Sequence, residues 1–129
     1  MKIKAIAIIS LILTGCADMQ ATRLPENKIQ LNINQSYQSA YRRILQSTLN
    51  ECNYLPDTVK NASFEDNNSA NITSTEHGVV GWTMDIMKAT ETTSIVHFYT
   101  AYSAQKKYAY RVENALNKGF KGCIFDAPI

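Results

Sequence analysis

From Lys28 to Asn34 the chain alternates, with Ile29, Leu31 and Ile33 on one side and Lys28, Gln30 and Asn32 on the other. A period of two predicts a half-buried strand. After Asn34 the period changes. Tyr37, Ala40, Tyr41, Ile44, Leu45, Thr48, Leu49 and Cys52 recur at steps of three and four. Side chains so spaced form one stripe of a helix, here predicted to run to about Glu51. Arg42, Arg43, Gln46 and Asn50 fall mainly outside the stripe. Asn34 or Ser36 is placed to cap the first turn through a short side-chain oxygen, and Pro56 prevents simple continuation of the helix.

The next stretch is polar and rich in Asn and Ser. Short strands fit near Ala62 to Asp66 and Ala70 to Thr75, with Asp66-Asn67-Asn68-Ser69 as turn chemistry between them. Gly78 and Gly81 bracket two valines and predict a turn or an irregular strand entry. Trp82, Met84 and Ile86 then alternate with Thr83, Asp85 and Met87. Thr93 to Tyr102 is rich in β-branched and aromatic residues and is the clearest strand signal. Val96, Phe98 and Tyr102 fall on its core face, and Ile95, His97 and Tyr99 on the other. A second helix is predicted from about Ala104 to Lys118, with Tyr108, Val112, Ala115 and Leu116 as its stripe and Gly119 just past its end. The order β-α-β-β-β-β-α implies an α+β fold. It would be a single two-layer domain, an antiparallel sheet of four to five strands with two helices on one face.

The opening run has neither period. Lys2 and Lys4 precede an apolar stretch from Ala5 to Leu13, broken only by Ser10. Crossing a bilayer takes roughly 20 apolar residues, so this run reads instead as an export signal. It ends Leu13-Thr14-Gly15-Cys16, which resembles the lipobox of bacterial lipoproteins. The resemblance implies removal of residues 1–15, a diacylglyceryl thioether and an acylated amino terminus on Cys16. Several acyl chains on one residue anchor stably where a single chain holds only marginally. Ala17, with Asp18 one residue later, implies by the same resemblance transport to the outer membrane, facing the periplasm unless the protein is flipped to the cell surface. Residues 16–27 are polar, contain Pro25 and read as a tether of no more than roughly 40 Å when extended. Residues 28–129 are the expected domain. Its layout is similar to the small helix-on-sheet domains of envelope lipoproteins, such as the lipoprotein component of the outer-membrane β-barrel assembly machine.

Processing also changes the charge. The formal net charge of the full chain is +2, but Lys2 and Lys4 leave with the signal, and 11 cations then face 11 acids. A near-neutral chain does not carry the electrostatic footprint of a nucleic-acid binder, and none is expected as a partner. Of the three cysteines, Cys16 is used by the lipobox. Cys52 and Cys123 remain, an even number for an oxidising compartment. A disulfide between them is the natural reading, with two buried thiols or half of a metal site as alternatives. The bridge would close a loop of about 70 residues, contributing roughly 4 kcal/mol in the chain-entropy model.

Residues that could carry chemistry are sparse. The histidines are His77 and His97, and neither sits in a short Cys/His cluster. Glu65 and Asp66 are neighbours expected to point to opposite faces of a strand. The sequence GVVG lacks the Lys-Ser/Thr of a phosphate loop. No catalytic residue, metal or organic cofactor is therefore expected. The expectation is a lipid-anchored envelope protein that acts as a non-catalytic interaction or structural module, its membrane contact through Cys16 and its partner an envelope protein. The alternative is a periplasmic lipoprotein that binds a small ligand. His97, Tyr99 and Tyr110 are the candidate surface residues, since tyrosine suits interfaces.

Overall fold

In the computed structural model, residues 22–129 are described. The expected signal, Cys16 and the tether as far as residue 21 lie outside them. Strand β1 (Lys28–Ile33) leads into helix α1 (Tyr37–Gln46). Strands β2 (Val59–Phe64), β3 (Ser69–Glu76), β4 (Val79–Lys88) and β5 (Ser94–Tyr99) follow, and helix α2 (Lys106–Lys118) comes last. The sheet order is β1-β5-β4-β3-β2, and every neighbouring pair is antiparallel. Helix α1 carries the chain from one edge of the sheet to the other. The four-strand meander then returns it, so that β5 pairs with β1. The fold is the α+β domain that the periodicities predict.

One face of the sheet is the core. Leu31, Ile72, Met84, Ile86, Val96 and Phe98 are fully buried there, beneath Ala40 and Ile44 of α1 and Ala109, Val112 and Ala115 of α2. Each of the buried Leu, Ile, Val, Met and Phe side chains contributes roughly 1.5–3 kcal/mol. Helix α1 starts at Ser36, whose hydroxyl accepts the Ser39 N–H at 3.2 Å. Its α-helical part ends at Gln46, and Ser47–Glu51 is a single π turn. That widening buries Ser47 and Thr48. Ser47 Oγ then accepts the Ile124 N–H at 2.9 Å, which ties the helix end to the C-terminal segment.

Four sequence expectations are adjusted. Strand β2 begins at Val59 rather than Ala62 and ends at Phe64, so Glu65 and Asp66 lie in a 3-10 turn. Strand β5 stops at Tyr99, because Thr100 turns the chain: its hydroxyl donates to the Gly81 carbonyl (2.9 Å) and accepts the Tyr102 N–H (3.1 Å). Tyr102 is consequently off the core face and 47% exposed. Ala109 rather than Tyr108 is the fully buried member of the first turn of α2.

The free edge of β1 is closed by α2. Glu113 Oε2 accepts the Asn32 N–H at 2.9 Å, and Asn117 Nδ2 donates to the Asn32 carbonyl at 2.9 Å. Side-chain cover of this kind blocks edge-to-edge association.

Candidate functional site

The two bridged cysteines organise one end of the sheet. Cys52 and Cys123 are bonded, with Cα atoms 4.8 Å apart across a separation of 71 residues. Asn53 takes a left-handed backbone (φ 60°), and the Tyr54 N–H returns to the Thr48 carbonyl at 3.1 Å. Phe125, two residues beyond Cys123, lies among three rings, with centroids 5.7 Å from Tyr54, 5.4 Å from Trp82 and 5.3 Å from Tyr108.

The β3–β4 hairpin rises beside this cluster. His77 (φ 52°) and Gly78 (φ 78°) form its two-residue loop. Positive φ at both positions is the turn that matches the twist of a hairpin. The register slips between Ser74 and Thr75, which leaves Gly81 without a partner in β3. Such a bulge re-aims the strand beyond it. At Gly81 a Cβ would stand 3.6 Å from the Gln105 side chain, which lies over this position.

Between the hairpin, the loop after Cys52 and the turn before α2 is a half-open cleft of about 510 Å³, lined by Tyr54, Leu55, Glu76, Gly81, Trp82 and Gln105 among others. A shallower depression of about 370 Å³ continues past Gln105 to Val79 and Tyr102. Three large apolar side chains stand exposed at these two hollows: Leu55 (65%), Val79 (46%) and Tyr102 (47%). Among the described residues lining both hollows, Glu76 is the one carboxylate and no Lys or Arg occurs. Burial pushes the Tyr54 phenol above its ordinary 10.0, against a hydrogen bond with Trp82 that lowers it, and Tyr108 and Glu76 add to the rise. Tyr54 therefore stays a neutral hydrogen-bonding group.

The surface residues expected from sequence fall on two different layers. His97 and Tyr99 sit on the sheet face turned away from α1 and α2, partly buried, with rings edge to face at 6.2 Å. His97 Nε2 is 3.3 Å from Gln30 Oε1. Burial first, and then Lys28, hold the His97 ring below its ordinary 6.5, while Asp85 works the other way. Tyr110 is exposed on α2, in the helix layer. The structure brings His97 and Tyr99 together and leaves Tyr110 apart. Leu55, Val79 and Tyr102 were not legible as a group. The available signal was an apolar residue beside a turn former, Leu55 before Pro56 and Val79 after Gly78.

Among the described residues no group of three or more His, Cys, Asp and Glu side chains could hold a metal, and no helix is long and apolar enough to cross a membrane. No protein-family model matches the chain, and neither a curated protein nor a solved structure does.

Proposed function

We propose that this chain is a lipid-anchored protein of the bacterial envelope, held in the outer membrane through Cys16, that works as a non-catalytic docking module. The observation that carries the docking half is the pair of adjoining hollows beside Gln105, with Leu55 exposed at the cleft and Val79 and Tyr102 exposed at the shallower depression. Large apolar side chains exposed around adjoining hollows suit a contact site. Its chemistry favours a protein segment that presents an apolar or aromatic side chain next to a basic one, since Glu76 is the charge available to it. The anchoring half rests on Leu13-Thr14-Gly15-Cys16 and the short apolar run before it.

A photocrosslinking residue in place of Tyr102, read in growing cells, tests the reading. The expected result is a discrete protein adduct that disappears when Gly81→Trp fills the cleft, with no adduct from the same probe at Tyr110. Adducts of equal strength from both positions would dismiss the cleft as the site. A volume of about 510 Å³ also lies within the range of small-molecule sites. This keeps the small-ligand reading as the second one. A tightly held small molecule in the native mass of purified protein, lost in Gly81→Trp, would favour it.

A further inference from the structure

The two edges of the sheet are treated differently. Side chains of α2 close β1, but among the described residues no strand or side chain bonds the outer backbone of β2. An unpaired edge is a template for another strand. Its sequence, VKNASF, holds no proline and a single charge, Lys60. Lys60, Ala62 and Phe64 lie opposite Thr73, Asn71 and Ser69, while Asn61 and Ser63 lie opposite the buried Ile72 and Ala70. The first three therefore point away from the helices. Just past the strand is a shallow hollow of about 600 Å³, lined by Ser63, Phe64, Glu65, Asp66 and Asn67. Phe64 is 46% exposed, and Lys60, Glu65 and Asp66 are exposed too.

These charges have no partner inside the chain. Arg23 takes Asp85 in a two-pronged ion pair, Nε to Oδ2 at 3.1 Å and Nη2 to Oδ1 at 2.9 Å. Arg43 takes Glu51, and Lys88 takes Glu91. Among the described residues no ion pair includes Lys60, Glu65 or Asp66. The edge thus carries a free cation at one end and two free carboxylates at the other.

We infer that β2 pairs antiparallel with β2 of a second copy of this chain, about a two-fold axis at Ala62, and joins two sheets into one. The inference rests on neither the anchor nor the cleft. Residues directly opposite in an antiparallel pair share a face. With Ala62 facing its own copy, Lys60 stands opposite Phe64 and Asn61 opposite Ser63, and symmetry makes each contact twice. Every residue from Lys60 to Phe64 is then paired, with small side chains at the centre. The Lys60 stem lies against the Phe64 ring of the second copy. Its ammonium reaches diagonally to the corner of Glu65 and Asp66 and the hollow beside them, a span within range of a long side chain. A lysine on an edge ordinarily repels strand pairing. Here it selects the partner, because a second copy places carboxylates where Lys60 arrives. Parallel pairing in register would set Lys60 against Lys60, and like charges so placed are destabilising.

The test uses the protein as the cell makes it, extracted in mild detergent with the Cys52–Cys123 bond intact. Ala62→Cys and Tyr110→Cys are oxidised side by side with copper phenanthroline, and the parent protein is the blank for Cys16. Tyr110 is exposed on the helix layer and serves as the control. A cysteine on the axis faces its own copy with Cα atoms about 5 Å apart. Ala62→Cys is therefore expected to give a disulfide-linked dimer in several-fold excess over Tyr110→Cys. Adding Lys60→Glu should cut that dimer several-fold, and adding Glu65→Lys and Asp66→Lys as well should restore it. Lys60 is exposed, so circular dichroism of Lys60→Glu should match the parent. Equal crosslinking from Ala62→Cys and Tyr110→Cys overturns the inference. So do dimers that persist in Lys60→Glu or that the charge reversal fails to restore. A disulfide between Ala62→Cys and a different protein, in place of the dimer, also overturns it and gives the edge to another chain.

Discussion

Tyr54 and Phe125 each follow a bridged cysteine by two residues, and their rings meet with centroids 5.7 Å apart. The disulfide therefore does more than shorten the unfolded chain. It holds the loop with Leu55 and the C-terminal segment with Phe125 against Trp82, and so sets the floor of the cleft. Cys52→Ser is expected to lower unfolding free energy by about 2–5 kcal/mol, the usual range for a native bridge in a small domain. Urea titration followed by Trp82 fluorescence measures this. A midpoint that does not move on reduction would show that packing alone holds the two segments.

The Arg23–Asp85 pair is partly buried, with side chains 28% and 27% exposed. Its two-pronged geometry favours it, but water still screens it. Removal by Arg23→Ala is expected to cost about 1 kcal/mol or less. A double-mutant cycle with Asp85→Ala should return a favourable coupling of the same order. Strictly additive losses would mean that the N-terminal segment is held by something other than this pair.

His97 gives the domain a pH dependence on the acid side. Its folded-state value is held below 6.5, chiefly by burial. Above 6.5 the ring is neutral in folded and unfolded chains alike and contributes nothing. As the pH falls below 6.5 the unfolded chain takes up the proton first, so stability declines until the folded state protonates too. Thermal midpoints measured between pH 7 and 5 should fall with pH in the parent and fall less in His97→Gln. An equal decline in both proteins would assign the effect to other groups.

Gly119 ends α2 in the left-handed region (φ 69°), with the Phe120 N–H returning to the Ala115 carbonyl at 2.9 Å. A Cβ there would meet nothing within 4 Å. The whole penalty of Gly119→Ala is then the backbone conformation, about 1–2 kcal/mol. Denaturation should show that loss with the core spectroscopically unchanged.

The double substitution His97→Ala plus Tyr99→Ala separates a surface role from a structural one. Both residues are partly buried on the sheet face turned away from α1 and α2, outside the core cluster. The thermal midpoint is expected to shift little. A large drop in midpoint would place the two rings in the load-carrying packing of the sheet.

Local periodicity was enough to fix the elements of this protein. The alternation of Ile29, Leu31 and Ile33, the stripe from Tyr37 to Leu49 and the alternation from Trp82 to Ile86 each state which face must leave water, and Leu31, Ile33, Tyr37, Ala40, Ile44, Trp82, Met84 and Ile86 are buried accordingly. Cysteine parity pointed to the pair Cys52 and Cys123, because the lipobox reading leaves two, and the structure bonds them. The chain outside the described residues carries the anchoring argument through sequence alone. Only the tertiary structure decided where irregular residues end up. Tyr102 has the parity of a core residue, yet the Thr100 hydroxyl turns the strand before it, and a side-chain hydrogen bond leaves no mark on a hydropathy pattern. The bulge at Gly81 and the π turn after Gln46 likewise depend on neighbours brought from far along the chain. Leu55, Val79 and Tyr102 are separated by more than twenty residues at each step, and only the sheet register and the disulfide bring them to adjoining hollows. Arg23 shows the same in charge: its partner Asp85 is 62 residues away, and no local rule links a cation in a polar leader to a carboxylate on a distant strand.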